Sequence, residues 1–353
     1  MDKNKNIASS KKDNILVIRL SAMGDVAMTV PVLIALTKKY PQLHLTLVSN
    51  AFFEPFFEGI ENVTFHPAHL KQEHKGIKGL YRLFKDLKPK NYTSVADLHN
   101  VIRSKVLDTL FCVNGRKVVQ IDKGRSEKKA ITREEDKAFG ILKTTQQRYV
   151  DVFAKLGYPV ELNNSDFLTK RTLSNEVQNK LSSAPQKWLG IAPFAAHEGK
   201  MYPLDLMQQV IEELAYTTNY KILFFGGGKK EVELLNNLES KFKNTVNLAG
   251  KFNFKDELAI ISRLDAMLSM DSGNGHLAAM FGVPVVTIWG VTHPFVGFAP
   301  YGQPEENQIV ADREQYPLIP TSVYGNKIPE GYEEVMRTIK PKTIINRIKA
   351  ILE

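Results

Sequence analysis

The residues best suited to chemistry fall in loops, and the most informative loop is Met270–His276, MDSGNGH. It separates an apolar, strand-like run from a small-residue helix expected at Gly275–Phe281. Ser272 and Gly273 stand where helix-start N–H groups lack intrahelical partners. The helix dipole adds about half a positive charge at such a start, which favours a phosphate or diphosphate. Gly273 and Gly275 let a ligand come close to the backbone, and His276 can donate to the same anion. The same residues also suit an ordinary capped helix, with Asp271 or Ser272 as N-cap and His276 at the surface.

Three other loops carry candidates. In Ser21–Asp25, Gly24 suits a tight turn and Asp25 begins a helix whose positive end favours a carboxylate. Such a carboxylate can accept a proton from an incoming hydroxyl, although Asp is also a common helix-start residue. Lys200, in AHEGKMYP, can meet a diphosphate as a point charge; a solvated loop lysine is the plainer alternative. Gly226–Gly228 leads into a helix carrying Glu231, which either supports the turn or binds ribose hydroxyls. A fifth loop, Gly290–Pro294, follows a later strand.

Other chemistries lack their signatures. No G-x-G-x-x-G follows the first strand and no G-x-S-x-G elbow occurs, which argues against a dehydrogenase and a serine triad. His66, His69 and His74 are close in sequence, but no Cys or HExxH pattern accompanies them, so no metal is expected.

The elements that must position these loops alternate. Strands are expected at Asn14–Leu20, Leu43–Ser49, Asn62–Phe65, Ser94–Leu98 and Lys117–Ile121, with helices near 25–40, 77–87, 101–111 and 144–156. A second series follows, with strands at Trp188–Pro193, Lys221–Phe225, Thr245–Leu248, Ala266–Met270 and Val283–Trp289. Alternating strands and helices imply parallel sheets of right-handed βαβ units, here two Rossmann-like α/β domains parted by the polar stretch 163–187. Ligands of such sheets bind beyond the carboxyl ends of the strands, where all five loops lie. Residues 301–330 carry four prolines and read as a long loop, and Pro341 opens a last helix with an apolar face.

The chain has 353 residues, 43% apolar and 24% charged, which suits about two domains of ordinary globular composition. Cys112 is the sole cysteine, and no apolar run reaches membrane-spanning length. The polar, lysine-rich start reads as a disordered lead, and the protein as cytoplasmic. The net charge of +9 is uneven: Arg116 to Arg133 holds seven basic residues against Asp122 and Glu127. That stretch could meet nucleic acid, an anionic membrane face or a phosphorylated acceptor, or simply be a solvated loop.

Three stretches together resemble the ADP-heptose:lipopolysaccharide heptosyltransferases, glycosyltransferase family 9: IRLSAMGDVAMTVPVL (18–33), AHEGKMYP (196–203) and MDSGNGHLAAMFGVPVVTIWGVTHP (270–294). The resemblance extends to the last helix, IKPKTIINRIKAIL (339–352). It implies a GT-B architecture, two Rossmann-like parallel-sheet domains facing a central cleft. It further implies sugar transfer with inversion, no cofactor and no metal, from a nucleotide-sugar donor such as ADP-heptose to an anionic lipopolysaccharide-type acceptor. Asp25 matches the catalytic base and Lys200 the donor-phosphate lysine; Asp271, Ser272, Gly273 and His276 match the donor loop, and Glu231 a ribose contact. Arg103, Arg116 and Arg125 are candidates for the acceptor, and nucleic acid is not an expected partner. A peripheral contact with the inner membrane face is the alternative use of the basic stretch. Ser272 replaces the usual Thr, Ala195 and Ala196 stand where hydroxyl residues are common, and Val291 replaces a proline. The expected division is a lead at 1–13, an acceptor-side domain at 14–175, a donor domain at 176–330, and a segment at 331–353 returning to the first domain. Two other functions fit the same fold: a nucleotide-sugar epimerase or hydrolase, and a non-catalytic nucleotide-sugar binder.

Overall fold

Two separate, all-parallel sheets form from the two alternating series. The computed structural model describes residues 13–181 and 186–353. The expected disordered lead lies, up to residue 12, outside the described residues.

The first unit contains β1 (Asn14–Ile18), α1 (Met23–Ala27), α2 (Val30–Lys39), β2 (His44–Asn50) and β3 (Val63–Ala68). It continues with α3 (Gly76–Leu87), β4 (Ser94–Asp97), α4 (Ile102–Val113) and β5 (Lys117–Gln120). The strand order is β3-β2-β1-β4-β5. Ile15 pairs with Leu45 on one side and Ser94 on the other, and Ile15 to Ile18 are fully buried, as a central strand covered on both faces must be. The helix expected over 25–40 is broken in two. Pro31 has no N–H for the helical ladder, and Thr29 Oγ1 donates to the Val26 carbonyl at 2.7 Å.

Three helices follow before the second sheet: α5 (Arg125–Thr132), α6 (Thr145–Leu156) and α7 (Asn175–Leu181). The second sheet is built from β6 (Trp188–Ala192), α8 (Leu204–Thr217), β7 (Lys221–Phe224), α9 (Lys229–Lys241) and β8 (Thr245–Asn247). Then come α10 (Phe254–Ile261), β9 (Ala266–Met270), α11 (Gly273–Ala279), β10 (Val285–Trp289), β11 (Gln308–Val310) and α12 (Pro341–Leu352). The order is β11-β10-β9-β6-β7-β8. β11 lies inside the stretch expected to be all loop; its three residues are too few to show alternation, and Trp289 Nε1 donates to Gln308 Oε1 at 2.9 Å to fix it.

The division between units differs from the expected one. The first comprises residues up to 122 and 146–166, the second 123–145 and 167–353. Segment 123–145 joins the second unit because Leu142 N and Thr145 N donate to the Phe295 and Gly297 carbonyls, each at 2.9 Å. Segment 167–175 joins it through Leu168 N to Met280 O and Arg171 N to Ser262 Oγ. The last helix clusters with the second unit. Its apolar face, Ile344, Ile345, Ile348 and Leu352, shares a core with Met207, Val210, Ile211 and Leu214 of α8. Each sheet has one place where the strand order reverses, between β1 and β4 in the first and between β6 and β9 in the second. Loops leaving adjacent strands there diverge and open a crevice.

Candidate active site

In the second unit the reversal point joins the two most informative loops. Lys200, after β6, places Nζ 2.7 Å from Asp271 Oδ2, after β9, and both side chains are largely buried. A buried ammonium needs such a partner. With one of three N–H donors spent on Asp271, Lys200 keeps two for an anion. Asp271, as the acceptor of that pair, orients the lysine and is not itself suited to touch a diphosphate. Close packing fixes the loop: a Cβ on Gly199 would lie 2.5 Å from Val291 Cγ2, and Val291 N donates to Gly199 O at 3.0 Å.

Ser272 is the N-cap residue of α11, but its hydroxyl makes no capping bond; Oγ is buried without a hydrogen-bond partner. Thr292 Oγ1, after β10, is in the same condition. Buried hydroxyls are normally bonded, so these two orphans in loops at one end of the sheet are candidate partners for a polar ligand. His276 is buried on α11, not the surface residue of a simple capped helix. Gly275 has a packing reason: a Cβ there would meet Ser269 Oγ at 2.6 Å. The close-approach reading therefore remains with Gly273.

The first unit repeats the arrangement between β1 and β4. Asp25 Oδ2 lies 2.7 Å from Arg19 Nη2, and Arg19 Nη1 donates to Leu98 O, after β4, at 2.7 Å. Tyr149 of α6 donates its hydroxyl to the Asp25 carbonyl at 3.1 Å, and the Arg19 guanidinium lies over its ring, 5.8 Å from the centroid. Burial pushes the Tyr149 phenol well above its ordinary pKa, so it remains a donor. Leu20 N meets His99 Nδ1 at 3.4 Å. Asp25 is thus a partly exposed carboxylate held by its side chain and its backbone.

Residues 80–324, more than half of the chain, match the family described as glycosyltransferase family 9 (heptosyltransferase). The chain belongs to glycosyltransferase family 9. It is 26% identical over 296 residues to the lipopolysaccharide core heptosyltransferase OpsX of Haemophilus influenzae, covering 82% of each. It is also 26% identical over 302 residues to the lipopolysaccharide heptosyltransferase 1 of Campylobacter coli, covering 79% of this chain and 84% of the relative. Among solved structures, a glycosyl transferase family 9 protein from Veillonella parvula superposes with a TM-score of 0.71 at 19% identity, covering 98% of this chain and 99% of that one. The E. coli heptosyltransferase WaaC with ADP gives 0.67 at 19% identity, covering 96% and 99%. These likenesses show the GT-B type of fold.

The other candidate residues of this glycosyltransferase separate. Glu231, in the first turn of α9, accepts from Gly227 N through Oε2 at 2.8 Å, so part of its carboxylate supports the turn. Arg103 is exposed on the first turn of α4, at the same end of the first sheet as Asp25. Arg116 precedes β5 at the opposite, amino end of that sheet, and Arg125 starts α5 in the second unit. The basic stretch 116–133 is thus divided between the two units. The three histidines are structural in part: buried His74 accepts from His69 N at 3.0 Å and meets Asp86 Oδ2 at 3.3 Å.

Arg19, Tyr149 and Thr292 were not singled out from the sequence. Arg19 left a signal, a charge at the end of an otherwise apolar central strand, where a buried cation requires an anion. His293, beside Thr292, is pushed down to about 4 by burial and then by the Arg313 guanidinium. Its Nδ1 accepts from Phe295 N at 3.2 Å, which leaves the ring proton of the neutral imidazole on Nε2.

Proposed function

We propose that this glycosyltransferase moves heptose from ADP-heptose to an anionic lipopolysaccharide-core acceptor at the cytoplasmic face of the cell, with inversion and without a metal. The reading draws on the names of the related enzymes and on one observation above all. The paired Lys200 and Asp271 stand at the strand-order reversal beside the Ser272–Gly273 helix start.

Asp25 takes the proton of the acceptor hydroxyl as its oxygen attacks the anomeric carbon. The bond from that carbon to the diphosphate breaks on the opposite face, and the electron pair leaves with ADP. Lys200, the amides at Ser272 and Gly273, the Ser272 hydroxyl and His276 meet the charge that develops there. Arg19 and Tyr149 hold Asp25 in place. Arg103 is the acceptor-side arginine this reading retains, because it starts a helix at the Asp25 end of the sheet. Glu231 serves the ribose through what its turn leaves available.

The test is incubation with ADP-heptose and a heptose-deficient lipopolysaccharide core, with and without EDTA, read by mass spectrometry. Transfer of one heptose, unchanged by EDTA and with an inverted anomeric centre, is expected. Free or altered sugar formed without acceptor would point to an epimerase or hydrolase. Donor bound but never consumed would point to a binding protein.

A further inference from the structure

Helices α3 and α4 pack side by side, with the Phe84 and Phe111 rings 4.9 Å apart, and turn their inner faces to the first sheet. Gly79, Leu80, Leu83, Phe84 and Leu87 account for the buried face of α3. The outer face is apolar and basic together. Ile77 is 76% exposed and Tyr81 47%; on α4, Ile102 is 84% and Val113 82% exposed. Of the five exposed large apolar side chains described in the first unit, these are four, the fifth being Phe52. Scattered exposed apolar residues need no explanation, but four on two adjacent helices do.

The charge around them is mainly positive, with Glu73 and Asp86 the exposed acids. Lys75, Lys78, Arg82, Lys85 and Lys88 lie on or beside α3, all exposed and none with a carboxylate partner among the described residues. Asp86, the acid of that helix, faces His74. Ile77, Tyr81 and Lys85 follow one another at four-residue spacing, and Lys78 and Arg82 form the neighbouring row. Lys85 Nζ lies 5.0 Å from the Tyr81 ring centroid and Lys88 Nζ 5.9 Å from that of Phe84, so the lysine stems run along the aromatic surface. Apolar side chains flanked by stems that end in ammonium groups fit an interface with hydrocarbon below and phosphate above.

We propose that the outer face of α3 and α4 docks the first unit on an anionic lipid bilayer. Ile77, Tyr81 and Ile102 enter the headgroup boundary, and the α3 cations meet lipid phosphates. A polyanion such as nucleic acid would use the cations but has no use for exposed isoleucines. Both helices start at the carboxyl ends of their strands, so Ile77 and Ile102 stand at the end of the sheet that carries Asp25. Docking there would hold that end at the membrane surface, whatever sugar the enzyme transfers. This surface uses none of the basic residues of the stretch 116–133.

The experiment is co-sedimentation of the full chain with vesicles of equimolar phosphatidylglycerol and phosphatidylethanolamine, and with vesicles of phosphatidylcholine alone. The wild type should bind the anionic vesicles and not the zwitterionic ones. Lys78→Gln, Arg82→Gln and Lys85→Gln together should weaken binding about a hundredfold, at about 1 kcal/mol per cation near the surface. Ile77→Ser with Tyr81→Ser should abolish the binding that persists in high salt. Lys241→Gln, Lys243→Gln and Lys342→Gln, exposed lysines of the second unit, should leave it unchanged, which separates this face from net charge. Thermal melts of each variant matching the wild type exclude misfolding. Wild-type binding by the α3 triple variant, no binding by the wild type, or equal loss in both triple variants would overturn the proposal. So would α3-dependent binding to duplex DNA that vesicles fail to compete.

Discussion

Lys200 is held by Asp271 across the strand-order reversal of the second sheet, at 2.7 Å between Nζ and Oδ2. In the proposed donor site this contact leaves the ammonium aimed and partly unspent. In the proposed mechanism the carboxylate beside it acts on the donor through the ammonium.

Asp271→Asn should therefore weaken donor binding although Asp271 itself carries the wrong charge for a phosphate. A charged hydrogen bond is worth about 1.5–3 kcal/mol, so Lys200→Ala should raise the Kd for ADP roughly ten- to a hundredfold. The double substitution should cost no more than Lys200→Ala alone, since residues acting as a unit are not additive. Titration calorimetry with ADP reads this. Tighter ADP binding in Asp271→Asn would mean that the carboxylate opposes the donor and does not orient Lys200.

Arg19→Met should lower kcat while leaving the donor Kd unchanged, because it frees the Asp25 carboxylate without touching the donor loops. Loss of general-base assistance costs roughly 10² to 10⁴ in rate, which bounds the effect. Arg19→Lys should recover part of it, as an ammonium restores one of the two bonds. Arg19→Met in the Asp25→Asn background should cost little more. Turnover as in the wild type for a folded Arg19→Met variant would remove Arg19 from the account.

The pairing of Arg19 with Asp25 shows what the sequence holds and what it conceals. The alternation of apolar strands and amphipathic helices made both parallel sheets legible, since burial on two faces leaves near-continuous apolar runs. The loops at the strand ends followed from that order alone. Arg19 was visible as a buried charge, but its partner depends on where a six-residue turn brings Asp25. Tyr149 reaches Asp25 from α6, more than a hundred residues away, and nothing local encodes that. The chain's two extra crossings between units were hidden for the same reason: backbone bonds such as Thr145 N to Gly297 O leave no pattern in composition. Arg116 and Arg125 look like neighbours in sequence, yet β5 carries the chain from one end of the sheet to the other between them.

The contribution of Asp108 to stability should fall as pH rises from about 5 to 8. Burial, and then the neighbouring Asp97 carboxylate, push the Asp108 carboxyl up to about 8. Gln120 Nε2 donates to its Oδ2 at 2.7 Å, while Asp97 is taken up by His99 N, Asn100 N and Ser104 Oγ. The folded chain therefore holds a proton that the unfolded chain releases near pH 4. Between those values the native state binds more protons, and the slope of stability against pH is negative. Asp108→Asn keeps a neutral side chain at every pH, so its melting temperature should exceed that of the wild type at pH 8 and converge with it near pH 4. Parallel melting curves across this range would show that Asp108 ionises normally.

The most direct measurement is single-turnover transfer from ADP-heptose by Asp25→Asn, run beside ADP titration of the same variant. The account predicts a rate lowered by roughly 10² to 10⁴, with ADP affinity and melting temperature as in the wild type. A folded Asp25→Asn enzyme that transfers heptose at the wild-type rate would contradict it.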